Sequence, residues 1–226
     1  MALIHSPSIP TNGLVLLADF ANVKSWPGSG TTVYDLSPSK NHGVLSNSPV
    51  IANGAMSISS TTLSNCNFNA TAPNRDTLNL TTANGWTVFT STRYNGTGSN
   101  ARGRILQACY NNWLLGHWGG NDLVEYAEGW VVYQSGSSSD TNWRIYCATG
   151  NKLTNTYQFY VNGVLLASNS NGSQGPGALG IGNGNGAGLY NEPSDGDCGI
   201  LGAYNRELTA DEVSQIYNSF KGRYGI

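Results

Sequence analysis

The chain offers few carboxyl pairs that could perform acid–base chemistry. Retaining glycoside hydrolysis needs two carboxyl groups about 5–5.5 Å apart, and the best-spaced pair in a strand-like run is Glu125 and Glu128 in Glu-Tyr-Ala-Glu. An offset of three along a strand directs the two side chains to opposite faces. We therefore expect the protein not to be an enzyme.

Metal chemistry has one candidate segment. The three histidines are isolated from one another and from the cysteines, at His5, His42 and His117. Glu192, Asp195 and Asp197 lie in a Gly/Pro loop, and carboxylate oxygens are the ligands that Ca²⁺ prefers. Their spacing matches no EF-hand loop, so a solvated turn is the alternative. The sequence predicts no cofactor, with Ca²⁺ at this loop left open.

One tryptophan-rich segment has the residue types of a glycan contact. An aromatic ring followed by polar side chains could stack on a sugar and bond its hydroxyls, which makes Trp113, Trp118, Asn121 and Asp122 the glycan-contact candidates. The alternative is packing, because aromatic residues at strand starts are more often buried.

Charge and hydropathy exclude other partner classes. Charged residues make up 11% of the 226 residues and the formal net charge is −2, without a cluster of Lys or Arg. Nucleic acid and anionic membrane therefore have no electrostatic attraction to this surface. No run approaches the roughly 20 apolar residues of a membrane span, and the first residues lack the pattern of a signal peptide.

The four cysteines leave two states open. Cys66, Cys109, Cys147 and Cys198 are too far apart in sequence for Cys-x-x-Cys metal binding, and their even number permits disulfides. Cys109 and Cys147 lie in apolar strand runs, where a free cysteine behaves as a small buried hydrophobe. We favour reduced thiols.

The periodicity predicts an all-β chain with a single helix at its end. Short alternating segments separated by Gly and Asn turns are typical of a β-sandwich, and Asn162-Gly163 favours a type I′ hairpin. In the strand that begins at Trp86, the alternation does not decide whether Val88 or Phe89 points inward. Residues 1–12 read as an extended N-terminal arm, and residues 13–226 as a single domain.

The C-terminal helix has start and stop signals. Thr209 and Glu212 form the S/T-x-x-E capping box, the apolar residues that follow recur at helical spacing, and Gly222 is the predicted C-cap. A helix this short needs a docking surface, which we expect at the side or edge of the sandwich.

Both ends of the chain resemble one family. The strand and capped helix at 199–218 resemble the end of laminin-G-like, concanavalin A-like domains, and the hairpin 159–166 is similar to theirs. Segments 13–19, 25–30, 34–37 and 41–45 resemble the opening of the variety found in structural proteins of tailed phages, particularly marine phages. The resemblance implies a concanavalin A-like jelly-roll β-sandwich of two antiparallel sheets, and it makes rim Ca²⁺ more plausible.

The resemblance also implies a role. We expect a non-enzymatic virion protein, assembled in the host cytoplasm as an outer accessory component of capsid or tail. Its expected partners are other virion proteins, a second copy of itself and host surface glycans, with assembly contacts at Leu3, Ile4 and Ile9 of the arm. The alternative is a free carbohydrate-binding or adhesion module, or a tail-fibre adhesin.

Overall fold

The fold was determined from a computed structural model, which describes residues 8–68, 76, 78–80, 85–95, 102–134, 140–182 and 192–226. These residues form strands and one helix, in the order β1 (Leu14–Asp19), β2 (Thr32–Val33), β3 (Gly43–Ser46), β4 (Val50–Ala52), β5 (Ala55–Ile58), β6 (Asn65–Phe68), β7 (Gly85–Tyr94), β8 (Leu106–Ala108), β9 (Trp113–Trp118), β10 (Asn121–Ala127), β11 (Trp130–Tyr133), β12 (Arg144–Asn151), β13 (Thr156–Val161), β14 (Val164–Asn169), β15 (Leu179–Gly182), β16 (Gly196–Tyr204) and α1 (Ala210–Tyr224).

The strands form two antiparallel sheets. Sheet A has the order β14-β13-β12-β7-β16-β5-β4, and β1 pairs with the part of β16 beyond β5. Sheet B has the order β11-β10-β9-β8-β15-β6-β3-β2. Neighbours in each sheet are often distant in sequence, as in a jelly roll, and the expected two-sheet sandwich is confirmed.

Strand β7, at the centre of sheet A, is buried on both faces, which explains why its alternation was ambiguous. Trp86 and Val88 point between the two sheets and belong to the main core. Phe89 points the opposite way and belongs to a second cluster beneath the helix. Both faces of β7 are apolar because each covers a different layer.

The helix lies on the outer face of sheet A, not at the side or edge of the sandwich. Val213 and Ile216 are buried against the second cluster, and the ring of Phe220 stacks on Phe89 with centroids 6.2 Å apart. The predicted capping box at Thr209 and Glu212 is confirmed.

The helix ends later than the sequence suggested. Gly222 lies inside α1, and the C-cap is Gly225, with a left-handed φ of 68°. The added residues make tertiary contacts: Arg223 donates to Asp19 at 2.6 Å, and the ring of Tyr224 lies 4.8 Å from that of Trp143. Packing against the sheet therefore extends the helix past a weak helix former.

The described part of the N-terminal arm is bound to its own domain. Ile9 packs against the cluster beneath the helix, and the carbonyl of Pro10 accepts from Tyr204 Oη at 2.8 Å. Ile9 is partly buried within its own domain, and the predicted contact of Ile9 with a neighbouring subunit stays a prediction. The other predicted assembly contacts, Leu3 and Ile4, lie outside the described residues.

Two further sequence predictions concern the state of the cysteines and membrane-spanning segments. The four cysteines are buried and unbridged, so the structure contains them as free thiols. Among the described residues, no helix combines the length and hydropathy needed to cross a membrane.

Candidate functional site

A cluster of aromatic rings surrounds a pocket on the outer face of sheet B. The pocket has a volume of about 220 Å³ and is lined by Arg104, Asn112, Leu114, Trp118, Tyr126 and Trp130. We call this the aromatic pocket. Its aromatic residues alternate along β9, β10 and β11 with residues that fill the main core, such as Leu115 and Ala127. The alternation of a strand thus presents one set of side chains to the interior and the other to the pocket.

The first hairpin of the site positions Trp118. Strands β9 and β10 are joined by Gly119-Gly120, whose φ values of 59° and 85° suit a two-residue turn. This turn pairs Trp118 with Asn121. The amide of Asn121 donates to the carbonyl of Trp118 at 3.3 Å and contacts Tyr133 Oη at 3.5 Å. Asn121 therefore ties the turn to the edge strand β11.

The second hairpin brings Trp130 beside Tyr126. Tyr126 pairs with Trp130 across β10 and β11, and their ring centroids are 4.9 Å apart. Gly129 is required in the connecting turn because a Cβ there would lie 1.8 Å from the carbonyl oxygen of Asn171. Asn171 in turn donates to the carbonyl of Trp130 at 3.2 Å.

The rings form a continuous aromatic surface. Trp118 lies 5.3 Å from Trp130 and 6.0 Å from Tyr133, measured between ring centroids. Trp118, Tyr126 and Trp130 are half-buried, and Tyr133 is 45% exposed. These rings offer rigid apolar area to a ligand with little loss of side-chain entropy on binding.

An ion pair completes the wall of the pocket. The guanidinium of the buried Arg104 is bonded through Nε to Glu192 Oε2, and Trp118 Nε1 donates to Glu192 Oε1 at 2.8 Å. The backbones of Arg104 and Glu192 are also joined, by a hydrogen bond of 2.9 Å. Glu192 therefore links the indole of Trp118 to a fixed cation.

The structure separates the four predicted glycan contacts. Trp118 lines the pocket, and Asn121 supports it from behind with 7% of its surface exposed. Trp113 is fully buried between the sheets, and Asp122 is 1% exposed and paired with Arg144. Trp113 and Asp122 have no surface for a sugar to touch, which corrects both predictions.

The predicted Ca²⁺ ligands do not form a common site. Glu192 binds Arg104 and Trp118, whereas Asp195 accepts from the amide of Ser60 at 2.6 Å. Asp197 has three donors of its own, the side chains of Ser57, Arg93 and Asn95. No group of three or more His, Cys, Asp or Glu side chains within the described residues is arranged to hold a metal.

The carboxyl pair considered for hydrolysis is split between two environments. Glu125 is fully buried between the sheets, whereas Glu128 is exposed in the turn after β10, where its Oε1 accepts from the amide of Asn112 at 3.0 Å. The two side chains are separated, but strand alternation is not the reason, because Glu128 lies beyond the end of β10 in a turn with a φ of 54°.

Tyr126, Trp130 and Arg104 belong to the site but were not predicted. The residues that flank the Glu128-Gly129 turn are Ala127, which belongs to the main core, and Trp130. Tyr126 instead pairs with Trp130 at a register shift between β10 and β11, which the local sequence pattern does not indicate. Arg104 had no local signal, since its partner Glu192 is 88 residues away in sequence.

Comparisons with known proteins identify the family. Residues 52–214 match the model of the concanavalin A-like lectin/glucanases superfamily. A search of curated proteins gave no match.

Solved structures show the same fold at low identity. The binding domain of Paraclostridial Mosquitocidal Protein 1 is 16% identical, with a TM-score of 0.65 over 92% of this chain. Trypanosoma rangeli sialidase in complex with sialic acid is 14% identical, with a TM-score of 0.61 over 96% of this chain. The chain spans 52% of the first structure and 34% of the second. With its two-sheet fold and a family match over most of its length, the protein belongs to the concanavalin A-like lectin/glucanase superfamily.

Proposed function

We propose that the protein is a carbohydrate-binding module whose binding site is the aromatic pocket. The observation that carries the proposal is the set of half-buried rings of Trp118, Tyr126 and Trp130 around a cavity of about 220 Å³. The C–H faces of a sugar ring pack on aromatic faces, while its hydroxyls need polar partners at the edge of the contact. Arg104, Glu192 and Asn112 supply polar groups at that edge.

The size of the pocket suits one sugar residue or a chain end. Pockets for drug-sized ligands measure about 300–1,000 Å³, and this pocket is smaller. Tyr133 extends the aromatic surface beyond the pocket, so a second sugar residue would lie over that ring.

The family and its structural relatives support a binding role. The superfamily is named for lectins as well as glucanases. The two relatives are the binding domain of Paraclostridial Mosquitocidal Protein 1 and a sialidase solved with sialic acid. We extend the proposal to binding without catalysis, because Glu125 is enclosed in the interior and Glu192 is held by Arg104 and Trp118.

The virion role stays a prediction from the sequence resemblance alone. The relatives fit a binding module and give no support to a phage structural protein. Detection of the chain in purified phage particles by mass spectrometry would support a virion location, which is compatible with sugar binding.

Glycan-array binding, followed by titration calorimetry on each hit, tests the proposed function. We expect the wild-type protein to bind a defined set of glycans, and Trp130→Ala to lose that binding because it removes a ring from the pocket wall. Trp143→Ala is the matched control, since Trp143 is also half-buried but contacts Tyr224 of the helix α1, away from the pocket. The proposal is wrong if no glycan binds, or if both variants bind like the wild type.

A further inference from the structure

We infer that the aromatic pocket selects uncharged sugars over anionic ones, and that Glu192 is the residue that sets this selectivity. The inference rests on the proposed function, because it names the class of glycan that the same pocket takes. It follows from the charge of the pocket wall and its rim.

The only cation that lines the pocket, among the described residues, is already neutralised. Arg104 is 4% exposed and its Nε is bonded to the carboxylate of Glu192. Glu192 does not line the pocket itself but is bonded to two residues that do, Arg104 and Trp118, and its side chain is 35% exposed. The ion pair therefore presents no net positive charge at this wall.

Two charged residues of the described chain near this wall, Arg102 and Glu128, add no positive charge to it. Arg102, two residues before Arg104, points away from the pocket and places its guanidinium over the ring of Tyr94. Glu128 lies at the Asn112 side of the pocket and adds a negative charge there.

This charge distribution discriminates between sugar classes. A neutral sugar hydroxyl can donate to Glu192 without disturbing the ion pair. A carboxylate-bearing sugar would have to compete with Glu192 for Arg104, and two carboxylates would then share a partly dry site. Discrimination by repulsion of the wrong ligand is a general route to specificity, and like charges in a partly buried site repel strongly.

Glu192 also positions the main aromatic platform. Its Oε1 accepts from Trp118 Nε1 at 2.8 Å while Oε2 accepts from Arg104. The side chain of Glu192 thus orients the indole of Trp118 and neutralises the charge of Arg104. Glutamine at this position can still accept from Trp118, so Glu192→Gln changes the charge while leaving the indole a partner.

The test uses a glycan array that carries each neutral oligosaccharide beside its sialylated or uronate-bearing counterpart. We expect the wild-type protein to bind neutral members and to bind their anionic counterparts at least tenfold more weakly. Glu192→Gln is expected to raise affinity for the anionic counterparts by about tenfold, the effect of one partly desolvated charge pair. The double variant Glu192→Gln with Arg104→Gln removes both charges and should lose that gain.

The outcomes separate the two proposals. Wild-type binding to anionic members as strong as to neutral ones would overturn the selectivity and leave the sugar-binding function intact. Neutral-only binding that persists in Glu192→Gln, with an unchanged thermal unfolding profile, would overturn the role of Glu192. No binding to any glycan would overturn the proposed function and this inference together.

Discussion

The imidazole of His117 meets the ring of Tyr94 edge to face between the two sheets, with ring centroids 4.5 Å apart. Tyr146 lies against the same imidazole at 5.2 Å, and His117 is 1% exposed. Burial, followed by the positive charges of Arg144 and Arg102, lowers the pKa of His117 to about 3. The core therefore contains a neutral histidine that resists protonation.

Acid is expected to destabilise the fold through His117. The pKa of His117 is about 3 in the folded state against an ordinary value of 6.5, so the unfolded chain binds more protons between these values. The contribution of His117 to the free energy of unfolding is complete above pH 6.5. It is lost as the pH falls toward 3, by up to about 1.4 kcal/mol per pH unit. Urea denaturation across this range should show that the stability of the wild type relative to His117→Phe, which keeps a ring beside Tyr94, falls as the pH is lowered. The matched control, His42→Gln, should follow the wild-type profile, and a difference between wild type and His117→Phe that does not change with pH would refute the assignment.

Glu125 is expected to act in the opposite direction. Neither of its carboxyl oxygens has a hydrogen-bond partner among the described residues, and burial raises the pKa of Glu125 well above 4.5. The folded state retains the proton, so this contribution is complete below pH 4.5 and is lost as the pH rises toward the raised pKa.

Glu125→Gln should therefore stabilise the protein at neutral pH. The variant removes the ionisable group and keeps its shape, so its advantage over the wild type should grow by about 1.4 kcal/mol per pH unit in that window. Denaturation at a series of pH values measures this, with the exposed Glu128→Gln as the matched control. An advantage that does not grow with pH would contradict the prediction. The single variants Glu125→Gln and His117→Phe also separate two pH-dependent contributions to the free energy of unfolding, which oppose each other in the wild type.

Two glycines are expected to respond to alanine with opposite signs. Gly222 lies in the exposed part of α1, and an added Cβ there meets nothing within 4 Å. Gly222→Ala should raise the free energy of unfolding by about 0.5–1 kcal/mol, the difference in helix propensity. At Gly202 in β16 the Cβ would lie 2.1 Å from Phe89 Cε1, so Gly202→Ala should lower it by about 1–3 kcal/mol through overpacking. Chemical denaturation measures the free energy of unfolding of the two variants. A change of the same sign in both would contradict the prediction.

Graded substitutions at Trp118 should separate ring stacking from the hydrogen bond to Glu192. Trp118→Phe keeps an apolar ring in the pocket and removes the N–H that donates to Glu192 at 2.8 Å, so we expect about a tenfold loss of glycan affinity. Trp118→Ala removes the ring as well and should lose more. Titration calorimetry with a glycan identified on the array measures both. Equal affinities for the two variants would mean that the ring of residue 118 does not contact the sugar.

Local signals in the sequence were sufficient for several elements. The capping box at Thr209 and the Asn162-Gly163 turn each depend on residues a few positions apart, and both are confirmed. Asn162 and Gly163 have φ values of 51° and 77°, the left-handed conformation that a type I′ turn requires. The end of the helix was missed because the contacts of Arg223 and Tyr224 with distant residues outweigh the low propensity of Gly222.

The sequence by itself determined the all-β class, the capped C-terminal helix and the low charge, because these depend on residue type and on short-range periodicity. It also pointed to Trp118 as a surface aromatic residue. Only the tertiary structure decided that Trp113 is core and that Trp118 is joined to Glu192, 74 residues away in sequence. The physical reason is that the order of strands in each sheet sets which distant side chains meet, and alternation along one strand cannot say which face is covered by a second layer.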